Sequence, residues 1–355
     1  MDDKIIVSLD LMGGSNAPAA AIEGALIALK NTPKLHLFLH GNEESIGNLI
    51  HILDPVADRY QFFHAEDSVS DDEQPIRALK YGKESSMRKA VDSVKEEKSL
   101  ACVSSGNTGA LMVMAKMVLG DLPGIKRPAI ISLVPHKNGS SVVLDLGANA
   151  ECDELNLFQF ALMGNAYAKV ILGKQSPSIG LLNVGVESIK GTPLQKKTHE
   201  LLSDSELNYK GYVEGCDITK GVVDVVVVDG FTGNVMLKFG EGVIKLLMEI
   251  IRSSFKTNLI TKLAGLIMKK YLKSGLATID PKRLNGAMFI GVNGIVVKSH
   301  GSSDAIGVSS AIKVAYELAS RKINDEIKRE LKSMHAESSA QLLVEKIKKT
   351  FGIGT

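Results

Sequence analysis

The sequence predicts an α/β fold: a doubly wound, three-layer α/β/α architecture around a mostly parallel sheet. Short β-rich runs alternate with helical patterns along most of the 355 residues, and this alternation is typical of doubly wound proteins. Several β-rich runs are continuously apolar instead of alternating with polar residues. Strands buried on both faces have this pattern, so we expect helices to cover each side of the sheet.

The predicted elements cover most of the chain in order. The predicted strands are residues 4–10, 35–39, 99–103, 129–134, 142–146, 179–184 and 222–229. The predicted helices are residues 18–30, 86–98, 108–119, 154–172 and 233–255. No linker rich in Pro, Gly or Ser divides the chain, so we predict one domain over 1–355. It carries a helical amphipathic insertion around 240–280 and a charged helical C-terminal region over 320–350.

Composition excludes several classes of protein. Aromatic residues make up 5% of the chain and Trp is absent, which disfavours nucleic-acid binding because base stacking needs aromatic faces. The net charge of +2 is too small to indicate the basic surface with which proteins bind polyanions such as nucleic acids. Three widely spaced cysteines suit a reducing compartment. Neither a signal peptide nor a run of ~18 apolar residues is present, so we expect a cytoplasmic protein.

Glycine-rich turns between strands and helices are the most informative local pattern. They occur at residues 10–16, 104–110, 229–234 and 299–304, and the second and third share the pattern x-Gly-x-Thr-Gly. Free N–H groups at a helix start attract anions. In an open parallel sheet such turns gather at the carboxyl ends of strands, so we expect all four at one edge, around phosphate. Any one turn, taken alone, is also explained by loop and N-cap formation.

Other sequence motifs, both absent and present, narrow the range of reactions that the protein could catalyse. The sequence lacks a P-loop, a G-x-G-x-x-G turn after the first strand and a G-x-S-x-G nucleophile elbow, which weakens kinase, simple NAD-dehydrogenase and serine-hydrolase interpretations. Asp145 and Asp229 each follow a strand and could be a base or a carboxylate that orients backbone. Arg127 and Lys190 are candidate phosphate partners. His300 lies in the fourth turn and could donate to an oxygen or shuttle a proton.

A basic amphipathic segment lies within the predicted insertion. Six basic residues and no acid occur between residues 250 and 273, and such a segment can lie on an anionic bilayer. The predicted membrane-contact residues are Arg252, Lys256, Leu259, Leu263, Ile267 and Lys270. A surface helix that packs on the core or on a dimer partner is the alternative.

Eight short motifs follow one another along the chain. They are DLMGG (10–14), SSGNTGA (104–110), GIKRPA (124–129), DLGAN (145–149), LLNVG (181–185) with Lys190 and Gly191, DGFTGN (229–234), GVNG (291–294) and HGSSD (300–304). This ordered set resembles the bacterial phosphate acyltransferase family, the acyl-[acyl-carrier-protein]:phosphate acyltransferases of phospholipid synthesis.

The resemblance implies conversion of an acyl-acyl-carrier-protein thioester and inorganic phosphate into acyl phosphate and free acyl carrier protein. A membrane glycerol-3-phosphate acyltransferase then uses the acyl phosphate. The resemblance also implies a homodimer, a fold similar to phosphotransacetylases and isocitrate-type dehydrogenases, and peripheral association with the membrane. It implies no metal and no organic cofactor.

The chain departs from the family pattern at three positions. Ser15 follows Gly14 where the family usually has Asp, which excludes a carboxylate role at this position. Asn285 precedes Gly286 where the family usually has two glycines, and Val186 stands where a second acid is common.

Site residues follow from this chemistry, in which phosphate is the nucleophile and the protein aligns it with a thioester. We assign catalytic roles to Asn107 and Lys190, beside phosphate with Thr108 and Asn234, and to His300 or Asp229, which assists proton movement. The predicted substrate- and phosphate-binding residues are Asp10, Gly13, Gly14, Ser105, Gly106, Thr108, Gly109, Arg127, Asn149, Asn183, Thr232, Gly233 and Asn234.

Three other functions stay open from the sequence. A phosphotransacetylase that uses coenzyme A thioesters would share the turns. A decarboxylating dehydrogenase of similar fold would need a metal-binding cluster, which the sequence does not show. A non-enzymatic membrane scaffold would use the basic segment alone.

Overall fold

The computed structural model describes residues 4–275 and 285–332. Within these ranges eleven strands form one sheet. The strands are β1 (Ile5–Asp10), β2 (Leu35–Gly41), β3 (Tyr60–His64), β4 (Ala101–Ser104), β5 (Ala129–His136), β6 (Gly139–Leu144), β7 (Ile179–Leu182), β8 (Tyr209–Val213), β9 (Val225–Val227), β10 (Ala287–Ile290) and β11 (Ile295–Lys298).

Helices connect these strands. They are α1 (Ala19–Asn31), α2 (Glu43–Ile46), α3 (Pro75–Tyr81), α4 (Ser86–Lys95), α5 (Thr108–Leu119), α6 (Glu154–Leu172), α7 (Pro193–Ser203), α8 (Gly215–Lys220), α9 (Gly230–Ser254), α10 (Leu259–Gly275) and α11 (Ala305–Ser320). Two 3-10 segments cover Gly47–Arg59 and Gly82–Glu84. A further helix begins at residue 323 and reaches the end of the described range at residue 332.

The direction of the strands reverses in the middle of the sheet. The strand order is β3-β2-β1-β4-β11-β10-β5-β6-β9-β7-β8. Three consecutive pairs, β11–β10, β10–β5 and β5–β6, are antiparallel, and the other neighbouring pairs are parallel. Strands β6, β9, β7 and β8 therefore run opposite to β3, β2, β1, β4 and β11. We call the carboxyl ends of β3, β2, β1, β4 and β11 the first edge, and those of β6, β9, β7 and β8 the second edge.

Successive side chains of the central strands face different helical layers. Ala101 and Val103 belong to the core shared with α1, α6 and α11, whereas Cys102 belongs to the core shared with α4 and α5. In β6, Val142 faces the first core and Val143 faces a third cluster that includes residues of α8 and α9. This alternation follows from the two-residue period of a strand, and it gives the three layers that the sequence predicts.

The predicted doubly wound, mostly parallel architecture is confirmed. Each predicted strand and helix is present, with ends that differ by a few residues. Strands β3, β8, β10 and β11 were not predicted. The outer strands β3 and β8 have mixed polar and aromatic sequences, and β10 and β11 have four residues each within a glycine-rich segment.

The predicted amphipathic insertion is helical where it is described: α9 continues to Ser254 and α10 follows it. Residues 276–280 of that prediction lie outside the described residues. So do residues 333–350 of the predicted charged region. The single domain over 1–355 stays a prediction. None of the helices in residues 4–275 and 285–332 combines the length and the hydropathy that a membrane-spanning helix requires.

Candidate functional site

The predicted site residues fall into two groups at opposite edges of the sheet. The first-edge group is Asp10, Gly13, Gly14, Ser105, Gly106, Asn107, Thr108, Gly109 and His300. The second-edge group is Arg127, Asn149, Asn183, Lys190, Asp229, Thr232, Gly233 and Asn234. The expectation that all four glycine-rich turns gather at one edge is wrong, because three antiparallel pairs separate β11 from β6. One chain therefore does not bring Asn107 and Lys190 together around one phosphate.

Three of the four turns meet at the first edge in close backbone contact. A Cβ atom added to Gly13 would lie 2.5 Å from the amide nitrogen of Gly106, and one added to Gly14 would lie 2.7 Å from the carbonyl oxygen of Gly301. The amide of Ser15 donates to the same Gly301 carbonyl at 2.8 Å. Glycine is needed here because any side chain would push the turns apart.

Asp10 lies beneath these turns instead of facing a ligand. The residue is buried, and its carboxylate accepts from the Ser86 hydroxyl at 2.6 Å, the Ser104 hydroxyl at 2.6 Å and the Met12 amide at 3.1 Å. Burial raises the pKa of Asp10, and the hydrogen bonds from the two serines and from the turn oppose that shift. The geometry gives Asp10 the task of orienting the first turn.

Asn107 caps α5. Its side-chain oxygen accepts from the Ala110 amide at 3.0 Å, and its side-chain nitrogen donates to the carbonyls of Glu73, Asp71 and Ser70 at 2.8, 3.0 and 3.3 Å. The side chain thus ties the loop over residues 70–73 to the start of α5. The first amides of α5, beginning at the exposed Thr108, have no acceptor within the helix, which leaves donors for an anion.

His300 is exposed in the fourth turn, and Asn285 holds that turn. The Asn285 side-chain oxygen accepts from the His300 amide at 2.9 Å, and its nitrogen donates to the Ser299 and Ser303 hydroxyls at 2.7 and 2.8 Å. His300 Nδ1 accepts from the Ser302 amide at 3.2 Å. Partial burial lowers the pKa of His300. Asn285 was not predicted as a site residue, although its departure from the family pattern was a signal.

Lys298 is a first-edge residue that sequence reasoning missed. It ends β11 directly before the fourth turn, and it is buried. Its ammonium donates to the carbonyl oxygen of Ser105 at 3.2 Å and to that of Ser299. Burial lowers the pKa of Lys298 to about 8. The available signal was a lysine at the end of an apolar strand, where a charge is uncommon.

The second edge is built around the buried Asp145. Its Oδ1 accepts from the amides of Ile130, Gly147 and Ala148 at 2.9, 3.0 and 3.0 Å, and its Oδ2 accepts from the amide of Asn149 at 2.8 Å. The Asn149 side chain donates to the same Oδ2 at 2.9 Å and to the Pro128 carbonyl at 2.7 Å. Of the two roles open from the sequence, the contacts show the backbone-orienting one for Asp145.

The start of α9 packs against this loop. Asp229 caps the helix by accepting from the Thr232 amide at 2.9 Å and from the Thr232 hydroxyl at 2.7 Å. A Cβ on Gly233 would lie 1.9 Å from the Asp145 carbonyl oxygen. The side chain of Asn234 lies against Gly147. The third turn therefore belongs with the Asp145 loop and not with the other three turns.

The loop after β7 completes the second edge. Because Leu181 is in register with Val227, Asn183 lies beyond the end of β7 at the same level as Asp229 beyond the end of β9. Asn183 is buried and donates to the carbonyls of Gly185 and Lys190 at 3.1 and 3.3 Å. The exposed Lys190 ammonium lies 3.5 Å from the Glu187 carboxylate.

Arg127 lies at the same edge, directly before β5. Its guanidinium is exposed and donates to the Glu151 carbonyl at 3.0 Å. Together with Lys190 it gives the second edge two cations that solvent can reach.

Helix α9 runs from the second edge towards the first. It begins at Gly230 beside Asp145, and the charges of Lys238, Glu241 and Lys245 act on His300. With a rise of about 1.5 Å per residue, the eleven positions from Gly230 to Glu241 span roughly 16 Å. The two groups of predicted residues are thus joined by one helix but separated by about its first three turns.

The predicted membrane-contact residues are all on the surface. Leu259, Leu263 and Ile267 are 84%, 62% and 63% exposed, and Arg252, Lys256 and Lys270 are exposed as well. Gly265 of α10 lies against Phe255, so the end of α9 and the middle of α10 are in contact. The alternative in which this segment packs on the core of its own chain is therefore disfavoured.

One group of side chains within the described residues has metal-ligating atoms close together. The ligand atoms of Glu214, Cys216 and Asp217 lie within 4.8 Å of one another. Asp217 already accepts from the Glu214 amide at 3.0 Å and pairs with the Lys220 ammonium at 2.9 Å. These contacts explain the cluster as the start of α8.

Comparisons with known proteins agree with the motifs. A family model described as "Fatty acid synthesis protein" matches residues 5–326. The phosphate acyltransferase of Rhodospirillum rubrum is 43% identical over 333 residues, which are 93% of this chain and 95% of the relative. The phosphate acyltransferase of Alkalilimnicola ehrlichii is 46% identical over 316 residues, which are 89% and 92% of the two chains.

Solved structures show the same fold at low identity. A phosphotransacetylase from Streptococcus pyogenes matches with a TM-score of 0.60 and 17% identity over 89% of this chain and 94% of its own. A branched-chain phosphotransacylase from Enterococcus faecalis matches with a TM-score of 0.56 and 13% identity over 89% and 99%.

Proposed function

Because the chain belongs to this family of fatty acid synthesis proteins, the phosphate acyltransferases, and is therefore a transferase, we propose that its acyl donor is an acyl-acyl-carrier-protein thioester. The acceptor is inorganic phosphate, and the products are acyl phosphate and free acyl carrier protein. A membrane glycerol-3-phosphate acyltransferase consumes the acyl phosphate in phospholipid synthesis.

The meeting of three glycine-rich turns at the first edge is the observation that carries this proposal. A phosphate oxygen attacks the thioester carbonyl carbon, the C–S bond breaks, and the sulfur leaves as a thiolate that takes a proton. Phosphate is the nucleophile, so the protein needs to hold an anion and stabilise an oxyanion. The amides at the start of α5 and the turns at Gly13, Gly14 and Gly106 suit that task.

The residues at the two edges have different proposed roles. At the first edge Asn107 positions the start of α5, and Ser105, Thr108 and Gly109 line the phosphate site with His300. The neutral imidazole of His300 takes the proton of hydrogen phosphate and passes it to the leaving sulfur. A neutral imidazole is available near neutral pH because burial lowers the pKa of His300.

The second-edge residues are proposed to contact the acyl donor. Asp229, Thr232, Gly233 and Asn234 shape the start of α9, and Asn149 and Asn183 hold the adjoining loops. The exposed cations Arg127 and Lys190 are the ones that a donor in solution can reach.

The test mixes the protein with long-chain acyl-acyl-carrier-protein and phosphate and measures the phosphate-dependent release of free carrier thiol. Asn107→Ala and Lys190→Ala should each sharply reduce the rate, whereas Lys313→Ala, on the exposed side of α11, should not. A parental rate for both site variants would contradict the residue assignment. Release from acyl-coenzyme A alone would favour the phosphotransacetylase alternative.

We further propose a cytoplasmic homodimer that associates with anionic membrane surfaces through α9 and α10. The six predicted contact residues, Arg252 to Lys270, combine exposed cations with exposed apolar side chains, as interfacial helices do. Leu263→Glu combined with Ile267→Glu should abolish sedimentation with anionic vesicles. Val222→Glu, which changes another exposed apolar residue, should leave sedimentation unchanged.

A further inference from the structure

Lys298 lies at the junction of the three first-edge turns, and the proposed reaction has so far given it no role. Its ammonium donates to the Ser105 carbonyl at 3.2 Å and to the Ser299 carbonyl. A Cβ on Gly14 would lie 3.1 Å from the Cβ of Ser105 and 2.7 Å from the Gly301 carbonyl. The ammonium thus lies where backbone from all three turns comes together.

The charge of Lys298 is buried without a partner of opposite charge in contact. Among the side chains that the structure describes, it is the only buried lysine or arginine, and no described carboxylate lies within 4.0 Å of its ammonium. Asp10 and Asp71 act on it from longer range, and Lys238 opposes them. A buried charge is costly unless it is paired. An ammonium has three donors, and two carbonyls leave one of them available.

We infer that the Lys298 ammonium is the positive charge against which inorganic phosphate binds at the first edge. Phosphate next to it would use the available donor and neutralise the buried charge, while the amides at the start of α5 hold the other oxygens. The inference rests on the proposed function, to which it adds a binding residue. The competing explanation is a purely structural one, in which Lys298 only ties the second turn to the fourth.

The kinetic test compares Lys298→Met and Lys298→Arg with the parent and with Lys313→Met, which removes one exposed lysine of α11. Loss of a charge-assisted hydrogen bond to phosphate should raise the KM for phosphate about 10- to 100-fold in Lys298→Met. The KM for the acyl donor should change little, and Lys298→Arg should restore part of the affinity. An unchanged KM for phosphate in Lys298→Met would overturn the inference.

The pH dependence keeps the test informative if Lys298→Met fails to fold. Because burial lowers the pKa of Lys298 to about 8, its ammonium is charged below that pH and neutral above it. The KM for phosphate of the parent should rise between about pH 7 and about pH 9.5, and Lys298→Arg should remove the rise because arginine stays charged. The other ionisable groups around the ammonium are Asp10, Asp71, Lys238 and His300. A flat profile in both proteins would also contradict the inference.

Calorimetric titration with inorganic phosphate alone separates this inference from the proposed function. If the parent binds phosphate and Lys298→Met does not, the inference holds even when acyl-acyl-carrier-protein is not a substrate. If both bind phosphate equally, Lys298 has only the structural role.

Discussion

The two edges of the sheet share one arrangement, a buried aspartate beside a glycine-rich turn, but they differ in the groups that donate hydrogen bonds to the aspartate. At each edge a buried aspartate lies where a strand ends, since Asp10 is the last residue of β1 and Asp145 follows β6. A turn with the pattern x-Gly-x-Thr-Gly opens the helix that packs beside each aspartate. The donors to Asp10 include two serine hydroxyls, whereas all the donors to Asp145 are N–H groups.

This difference in donors makes the first edge more tolerant than the second of a change at its buried aspartate. A hydroxyl can donate or accept, so the first edge can accommodate a change in the charge of Asp10. An amide N–H can only donate, so the second edge requires an acceptor at Asp145. The first edge also has a buried ammonium, whereas the cations of the second edge, Arg127 and Lys190, are exposed. We therefore expect anion chemistry at the first edge and greater structural rigidity at the second.

The largest expected effect comes from adding a methyl group where the backbones touch. Gly233→Ala would place a Cβ 1.9 Å from the Asp145 carbonyl oxygen, and we expect a loss of about 3 kcal/mol or more in the free energy of unfolding. Gly13→Ala, at 2.5 Å from the Gly106 amide, should cost about 2–3 kcal/mol. Urea unfolding of both variants measures these values.

The control for these glycines lies in the same helix as Gly233. Gly240 has no atom within 4 Å of an added Cβ, so Gly240→Ala should raise the free energy of unfolding by up to about 1 kcal/mol through helix propensity. Equal stabilities of Gly233→Ala and Gly240→Ala would show that α9 does not pack on the Asp145 loop as described.

A smaller effect comes from replacing the two aspartates by their amides. Asp145→Asn turns one acceptor into a donor that faces N–H groups, and we expect a loss of about 2 kcal/mol. Asp10→Asn can direct its new donor to the Ser104 hydroxyl, which rotates to accept, so we expect a loss of about 1 kcal/mol or less. Similar losses in urea unfolding would remove the distinction between the edges.

The pH dependence of the free energy of unfolding gives a second test of the environment of Asp10. Burial raises the pKa of Asp10 above its ordinary value of 3.8, so the unfolded chain releases this proton at lower pH than the folded protein. This group therefore contributes stability below pH 3.8, and the contribution is lost as pH rises through the folded pKa. The stability of Asp10→Asn relative to the parent should increase between about pH 3 and about pH 7. A difference that stays constant or falls would contradict the raised pKa.

The smallest effect on stability is expected from Asp229→Asn, one half of a reciprocal pair at the helix caps, because it keeps an oxygen that caps α9 and should cost about 1 kcal/mol or less. Its counterpart Asn107→Asp also keeps a capping oxygen, but it loses the hydrogen bonds to the loop over residues 70–73 and should cost about 1–3 kcal/mol. A negative charge at position 107 should raise the KM for phosphate at least about tenfold, because it repels the anion. Asp229→Asn should leave that KM unchanged. The opposite result would place the phosphate at the second edge.

Much of the fold was predictable because local pattern encodes it. Continuous apolar runs such as residues 225–228 predicted strands with two buried faces, and glycine with small polar residues predicted the turns. The reversal of strand direction was missed, although Asn138-Gly139 between β5 and β6 is a hairpin signal. His136 pairs with Gly139 across that turn, and this hairpin helps to turn the second half of the sheet around.

The site was predictable only in part for the same reason. Motifs identified the residues near each strand end, but they do not state which strand ends share an edge. Lys298 and Asn285 acquire their roles from burial and from partners in the other turns, and neither property is visible in their neighbours along the chain.

The sequence by itself determined seven of the eleven described strands, the glycine-rich turns and the family, since each of these depends on short stretches of the chain. The tertiary structure alone decided that the first, second and fourth turns meet and the third does not, that Asp145 orients backbone, and that Lys298 carries a buried charge. These properties depend on how distant strands pair, and strand pairing is set by the packing of the whole sheet.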